Sequence, residues 1–166
     1  LAESPDDAYL HYQMGKELGS GDRPADAAAP LLTALKSCPP TAAWRHDLVL
    51  RTLYALKCAS RHAEAVQLAE AEMPHWAHSP DFYFTLGDLL LDWAAGEPAR
   101  GAELLPMIEA CWLRALEIGE RPDLPDSVSG RGSWLAAHNL AVFHGSLGQA
   151  DLARQWQARA AALQPS

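Results

Sequence analysis

Two histidines and an aspartate lie close enough in the sequence to suggest a metal site. His75 and His78 are three positions apart and Asp81 follows them, and two such histidines on one helix face can hold a metal ion. The stretch is bounded by Pro74 and Pro80, which disfavour a helix here. A surface loop is therefore the preferred interpretation, and we expect neither a metal ion nor a cofactor.

A pair of carboxylates and a pair of thiols are the other candidates for chemistry. Asp88 and Asp92 are four positions apart, so a helix would place them on one face as acid–base catalysis can require. A solvated helical surface explains the same spacing. Cys58 and Cys111 lie beside apolar positions, and no sequence signature marks either as a reactive thiol of low pKa, so we expect them to fill the core. No catalytic residue is assigned.

A glycine-rich segment and the tryptophans could instead bind ligands. The backbone of Ser129–Ser133 could cradle a phosphate, although it lacks the Gly-Lys-Ser/Thr ending of a phosphate-binding loop. A flexible loop is the preferred interpretation. Trp112, Trp134 and Trp156 could stack on a carbohydrate, but they fall near helix-packing positions. We expect them in the core.

Composition limits the classes of partner. The 166-residue chain carries a formal net charge of −8 with only 13 Lys and Arg, which excludes a typical nucleic-acid or anionic-membrane binder. It contains no apolar run of about 18 residues, so we expect no membrane insertion. The three distant cysteines and the absence of a leader at Leu1 indicate reduced thiols in the cytoplasm, and the missing initiator Met indicates a fragment of a longer protein.

Four positions recur at the same spacing near the two ends of the chain. The offsets from the first position of each set are 12, 19 and 24, and the sets are Gly15, Ala27, Ala34 and Pro39, and Ala141, Ala153, Ala160 and Pro165. Small residues allow two helices to approach closely, and a proline ends the pair. The spacing predicts a repeat of helix pairs. In a second, degenerate copy Leu53 and Glu72 replace small residues.

The helix boundaries can be predicted from caps, prolines and apolar spacing. Long stretches without glycine or proline favour helices throughout. The predicted boundaries are a first helix to Leu18, a second from Pro24, a third capped by Thr41, a fourth over His62–Met73, a fifth from Pro80, a partner helix carrying Trp112 after about nine inserted residues that follow Trp93, a loop over Glu120–Ser133 and a last pair over Trp134–Leu163.

With these offsets and a step of 34 residues from Leu53 to Gly87, the chain resembles the tetratricopeptide repeat family. Met14-Gly15, Leu86-Gly87 and Leu140-Ala141 match the Leu-Gly position of that family. The resemblance implies an all-α, right-handed superhelical solenoid of about four helix pairs in a single domain. Its repeats would cover residues 8–41, 46–79, 80–122 with the insertion, and 134–166.

A narrower resemblance concerns two segments. Gly130–Ala141 looks like a segment in repeats that follow bacterial family 2 glycosyltransferase domains, and Asp7–Leu18 looks like the first repeat of such tails. This resemblance implies an alternative function as a C-terminal accessory region that aids acceptor recognition or assembly. The chain itself has no Asp-x-Asp sugar-nucleotide motif, so any transfer chemistry would reside elsewhere.

The repeat resemblance also implies a concave groove lined by the first helix of each pair. We expect a non-catalytic scaffold that binds a protein or peptide there, with the aspartates favouring a basic or hydrogen-bond-donating ligand. A homodimer through a terminal repeat is a further alternative. The expected groove residues are Tyr9, Tyr12, Lys16, Asp47, Leu50, Tyr54, Lys57, Asp81, Phe84, Asp88, Asp92, His138, Asn139 and Val142.

Overall fold

The protein is all-α, as predicted. A computed structural model describes the backbone of residues 5–166 and the side chains of residues 7–166, and this part of the chain contains helices and no strand. The α-helices are α1 Pro5–Ser20, α2 Ala28–Ser37, α3 Arg45–Cys58, α4 His62–Glu72, α5 Pro80–Gly96, α6 Gly101–Ile118, α7 Trp134–Ser146 and α8 Ala150–Leu163. No helix in the described range combines the length and the hydropathy that a membrane span needs.

The chain forms two compact units, unit 1 over Leu1–Trp76 and unit 2 over Ala77–Ser166. In unit 1, α1 packs on α2, α2 on α3 and α3 on α4, and α1 also contacts α3. In unit 2, α5 packs on α6, α6 on α7 and α7 on α8. Each unit is therefore built mainly from contacts between helices that are consecutive in the sequence.

Two of the predicted small residues lie where paired helices approach closely. A Cβ atom added at Gly15 would lie 2.3 Å from Cδ2 of Leu31, and one at Gly87 would lie 2.5 Å from Nε1 of Trp112. Gly15 and Leu31 are 16 positions apart in the sequence, whereas Gly87 and Trp112 are 25 positions apart. The difference of nine positions equals the predicted insertion. The insertion lengthens the pair, because α5 has 17 residues and α6 has 18.

The turns that follow α3 and α7 have the same local structure. Each connects two helices through three residues, and the central residue has a positive φ, 57° at Ser60 and 74° at Gly148. In both turns the next amide donates to the carbonyl five positions back, with an N···O distance of 2.9 Å. Glycine suits this left-handed conformation, whereas serine adopts it at some cost.

Two predicted helix starts need correction. The third helix begins at Arg45 rather than at a cap on Thr41, because the amide of Ala42 donates to the Pro39 carbonyl and the amide of Arg45 to the Ala42 carbonyl. These successive turns hold the segment out of the helix. The second helix is preceded by a short 3-10 turn over Pro24–Ala27, so α2 begins later than predicted.

The degenerate position Glu72 is buried, with 5 % of its surface exposed. Its Oε1 forms an ion pair with Nη2 of Arg45, and its Oε2 accepts a hydrogen bond from Nε1 of Trp76 at 3.0 Å. Burial lowers the pKa of Arg45, but the hydrogen bond and the charge of Glu72 raise it above its usual value. The position at which the predicted repeat would place a small residue thus holds a paired carboxylate.

Of the five tryptophans and cysteines predicted to fill the core, Trp112 and Cys111 are buried. Trp112 is 1 % exposed, whereas Trp134 and Trp156 are only half-buried. Cys111 is buried, and this burial raises its thiol pKa to about 12. Cys58 is half-buried, so it fills the core less completely than predicted.

Candidate functional site

Unit 1 brings aromatic and charged side chains of α1 and α3 onto one surface. On each helix these residues are spaced three, four or seven positions apart, which places them on a common side. Because α1 contacts α3, the two sides adjoin. We name this surface the unit 1 face, and it consists of Tyr9, Tyr12, Lys16, Trp44, Asp47, Arg51, Tyr54 and Lys57.

Asp47 organises the centre of the unit 1 face. Its Oδ2 accepts a hydrogen bond from the hydroxyl of Tyr12 and an ion-paired hydrogen bond from Nε of Arg51 at 2.6 Å. Asp47 is 8 % exposed and Tyr12 is 3 % exposed, so both are buried. Burial lowers the pKa of Arg51, whereas hydrogen bonding to Asp47 and its charge raise it. The charge of the Asp47 carboxylate is therefore balanced by Arg51, and the carboxylate holds the side chains of Tyr12 and Arg51 in place.

An exposed tyrosine ring is supported by two further rings. The centroid of Tyr9 lies 5.9 Å from that of Tyr12 and 5.5 Å from that of Trp44, and Tyr12 stacks on Trp44 at 5.0 Å. Nε2 of Gln13 also donates to the Tyr9 hydroxyl at 2.6 Å. Tyr9 is nevertheless 44 % exposed. Side chains that are already ordered in the free protein lose little conformational entropy when a partner binds.

Two lysines of the unit 1 face lie over tyrosine rings. Nζ of Lys16 is 5.2 Å from the centroid of Tyr12, and Nζ of Lys57 is 4.7 Å from that of Tyr54. Both distances suit attraction between a cation and the negative face of a ring. Tyr54 is 45 % exposed. The face thus combines accessible rings with positive charge.

The corresponding position in unit 2 has a different environment. Asp81 lies 34 residues after Asp47 and is 1 % exposed. Its Oδ2 accepts hydrogen bonds from the amide of Val128 at 2.9 Å and from Nη1 of Arg131 at 3.2 Å. The Arg131 guanidinium also lies 5.4 Å from the Phe84 ring. The segment between α6 and α7 therefore covers Asp81, which we expected to face a ligand.

Glu120 holds the glycine-rich part of that segment. Its Oε1 accepts hydrogen bonds from the amide of Gly130 at 2.7 Å and from the hydroxyl of Ser133 at 2.6 Å. Gly130 has a φ of 100°, and a Cβ atom at Gly132 would lie 2.5 Å from the backbone of Gly119. Defined contacts thus hold the segment, and the Gly130 amide that could have met a phosphate already has an anionic partner.

The remaining residues of the expected groove are spread over differing environments. Leu50 is buried, at 7 % exposure, and belongs to the core of unit 1. In unit 2, Val142 is 54 % exposed. Asp92 and His138 are also exposed, whereas Asp88 and Asn139 are half-buried. In unit 1, Tyr9, Tyr12, Lys16 and Asp47 are joined by direct contacts, and Lys57 contacts Tyr54.

No α-helix lies between Glu72 and Pro80, in agreement with the predicted loop. His75 ends a short 3-10 turn over Met73–His75, and a bend at Trp76 and a turn at Ala77 and His78 follow it before α5 begins. Within residues 7–166, no group of three or more His, Cys, Asp or Glu side chains is arranged to hold a metal ion. Asp81 instead binds Val128 and Arg131.

Unit 1 also contains a cleft of about 490 Å³. Arg45 and Glu72 form an ion pair in its wall, and Nη1 of Arg45 donates to the Cys38 carbonyl at 2.9 Å. The wall contains equal numbers of acidic and basic side chains, so its charge does not select a ligand. Its lining residues are Leu32, Leu35, Lys36, Arg45, Glu64, Leu68 and Glu72.

Three contributing residues were not predicted. Arg51 could have been found, because it follows Asp47 by four positions and an opposite charge at that spacing pairs along a helix. Trp44 precedes α3 and reaches the rings of α1 through tertiary packing, for which the sequence holds no local signal. Arg131 contacts Asp81 across 50 positions, which sequence spacing does not predict either.

Two comparisons with known proteins find no relative of the chain. No protein-family profile matches the chain, and a sequence search among curated proteins finds no match.

Proposed function

We propose that the chain is a non-catalytic binding module of the tetratricopeptide-repeat type that takes a protein or peptide on the unit 1 face. Three features support the repeat assignment: the close approaches at Gly15 and Gly87, the shared turn at Ser60 and Gly148, and packing between consecutive helices. In this proposal the helix pairs form a right-handed superhelical solenoid. Its binding surface is built from the first helix of successive pairs.

The observation that carries the proposal is the environment of Tyr9. A ring that only filled the core would be buried, yet Tyr9 is 44 % exposed while Tyr12, Trp44 and Gln13 hold it. Tyrosine and tryptophan rings provide much of the binding energy at many protein interfaces, because they bury large areas at small entropic cost. A preformed aromatic surface beside fixed charges suits an extended peptide.

Selection of peptides tests the proposal directly. A displayed library of random short peptides would be selected against the full chain, and the affinity of the enriched peptides would be measured by fluorescence anisotropy. We expect Tyr9→Ala to weaken binding by about tenfold or more, as loss of an aromatic anchor does. Circular dichroism should show the same helix content for the variant.

Leu10→Ala provides the matched control. Leu10 is the next residue of α1 and is 65 % exposed, but it lies outside the unit 1 face. If peptides bound through unspecific hydrophobic contact, Leu10→Ala would reduce binding at least as much as Tyr9→Ala. Equal effects of the two variants, or the absence of any enriched peptide, would contradict the proposal.

A further inference from the structure

We infer that the ligand of the unit 1 face is a proline-rich peptide in the polyproline II conformation, which places a proline ring against Tyr9 and Trp44 and accepts hydrogen bonds from both. The inference rests on the proposed function, because it names the chemical class of ligand for the same surface. It reverses the expectation from the sequence alone, in which the aspartates of the groove favoured a basic or hydrogen-bond-donating ligand.

Tyr9 and Trp44 form an aromatic corner on the unit 1 face. Their rings lie at 77° to each other with centroids 5.5 Å apart, so one ring meets the other edge-on. Tyr9 is 44 % exposed and Trp44 is half-buried, while the buried ring of Tyr12 stacks on Trp44 and supports it. A rigid pyrrolidine ring suits the angle between two such rings, and polyproline II peptides commonly bind surfaces lined with aromatic side chains.

The aromatic corner offers hydrogen-bond donors that have no acceptor. The Tyr9 hydroxyl accepts a hydrogen bond from Nε2 of Gln13 at 2.6 Å, but its own hydrogen has no acceptor among residues 7–166. The indole N–H of Trp44 has no acceptor in this part of the chain either, and its nitrogen is accessible to solvent. An indole nitrogen can only donate, so a ligand that covers the corner must supply acceptors.

The carboxylate of the unit 1 face does not offer a matching acceptor to a ligand. Asp47 is 8 % exposed, and its Oδ2 already accepts hydrogen bonds from the Tyr12 hydroxyl and from Nε of Arg51. A ligand that brought its own N–H groups to this surface would therefore find no exposed carboxylate of the face to receive them. This burial explains why the sequence suggested the opposite preference.

The unpaired donors also select the backbone conformation of the ligand. A helical peptide uses most of its carbonyls in its own hydrogen bonds, and an ordinary extended strand presents an N–H for each carbonyl. A polyproline II helix has no internal hydrogen bonds, so its carbonyls stay available, and each proline removes one N–H. A proline-rich peptide is therefore rich in acceptors and poor in donors, which complements the aromatic corner.

A carbohydrate could also stack on these rings, but it matches the donors less well. Every sugar hydroxyl carries a donor hydrogen together with its acceptor oxygen, whereas the amide of an X-Pro bond only accepts. The ring contacts alone suit both classes of ligand. The unpaired hydroxyl hydrogen of Tyr9 and the indole N–H of Trp44 favour the peptide, and the carbohydrate is an alternative outcome of the test.

The test measures the affinity of the full chain for a labelled octaproline and for the enriched peptides by fluorescence anisotropy. Trp44→Phe removes the indole N–H and keeps an aromatic ring, so it should weaken binding by about threefold to tenfold, as the loss of one hydrogen bond does. Tyr9→Phe removes only an exposed hydroxyl and should have a similar effect without altering the fold. Trp156→Phe is the matched control, because it makes the same change at a half-buried tryptophan of α8, and it should change the affinity by less than about twofold.

Three comparisons of ligands separate the recognition of proline from other modes of binding. We expect the enriched peptides to be richer in proline than the library, and replacement of their prolines with alanines should weaken binding by about tenfold or more. A Gly-Ser repeat of the same length as octaproline should bind much more weakly. If the Gly-Ser repeat binds as tightly as octaproline, or if maltohexaose displaces octaproline at similar concentrations, the inference is overturned.

The inference and the proposed function can fail separately. Enriched peptides that depend on Tyr9 but are no richer in proline than the library would overturn the proline-rich ligand and leave the binding module in place. Equal effects of Trp44→Phe, Tyr9→Phe and Trp156→Phe on the affinity would do the same. A selection that enriches no peptide would overturn both.

Discussion

Asp47 in unit 1 and Asp81 in unit 2 lie 34 residues apart, which is the step of the predicted repeat, yet they support different surfaces. Both are buried carboxylates that hold an arginine. The partner of Asp47 lies four residues away on the same helix, and the ring of Tyr9 stays exposed nearby. The partner of Asp81 comes from the segment between α6 and α7, which covers the carboxylate.

This difference shows that two buried aspartates can have different surroundings. An aspartate occurs at both positions, while the location of its arginine partner decides whether the surrounding surface stays exposed. In unit 1 a local partner leaves the face open. In unit 2 the partner Arg131 comes from the segment between α6 and α7, which lies over Asp81 on α5, and Arg131 also lies over the Phe84 ring.

The largest expected effect follows from removing Asp81. Asp81→Ala leaves the Val128 amide and Arg131 without their acceptor, so we expect the free energy of unfolding to fall by about 3 kcal/mol. Asp47→Ala should cost less, about 1–2 kcal/mol, because Arg51 can turn to solvent and only the neutral hydroxyl of Tyr12 loses this acceptor in a buried site. Urea denaturation of both variants measures the difference. Equal losses would mean that the two environments are not distinct.

A smaller effect is expected from Gly132→Ala. The new Cβ would lie 2.5 Å from backbone atoms of Gly119, so the covering segment must move and the protein should lose about 1–3 kcal/mol. Gly96→Ala is the control, because a Cβ there has no neighbour within 4 Å. Thermal denaturation should show a lower Tm for the first variant only. An unchanged Tm would contradict the close packing of this segment.

A pair of aromatic substitutions should separate binding from stability. Tyr9→Ala should reduce peptide affinity by about tenfold, equivalent to about 1.4 kcal/mol, with little change in unfolding free energy. Phe84→Ala should do the opposite, because its ring is half-buried under Arg131. Titration calorimetry gives the peptide affinity of each variant, and urea denaturation gives its free energy of unfolding. A loss of affinity in Phe84→Ala would show that the covered surface of unit 2 also binds.

The smallest perturbation uses the thiols as probes. At pH 8 we expect an alkylating reagent to modify Cys58 first, since it is half-buried, while buried Cys38 and Cys111 react only when their units open. Burial also raises the pKa of Cys38, and it raises that of Cys111 to about 12. Mass spectrometry of digests after timed labelling reports the opening of each unit. Rapid labelling of Cys111 would contradict its burial.

The raised pKa of Cys111 also predicts a pH dependence. In the unfolded chain this thiol ionises near pH 9, whereas in the folded protein its pKa is about 12. The folded state therefore binds the proton more tightly between these values, and the stability that this group contributes below pH 9 is lost as the pH rises towards 12. Cys111→Ala should flatten the fall in Tm over this range, although its Tm starts lower. An unchanged slope would contradict the shift.

Much of the fold could be predicted because its signals are local. Helix spacing, the small residues at Gly15 and Gly87, and the nine inserted residues follow from contacts between consecutive helices. The binding surface was less predictable. The cover over Asp81 and the support of Tyr9 by Trp44 depend on contacts between distant segments. The solenoid arrangement, the repeat family and the glycosyltransferase link stay predictions.

The central claim is that a ligand binds the open surface of α1 and α3. The most direct test is to titrate an enriched peptide into the ¹⁵N-labelled full chain and to follow its amide chemical shifts. We predict that the largest changes occur at Tyr9, Lys16, Arg51 and Tyr54, with little change around Asp81. Changes concentrated on α5 and α7, or spread evenly over both units, would contradict the claim.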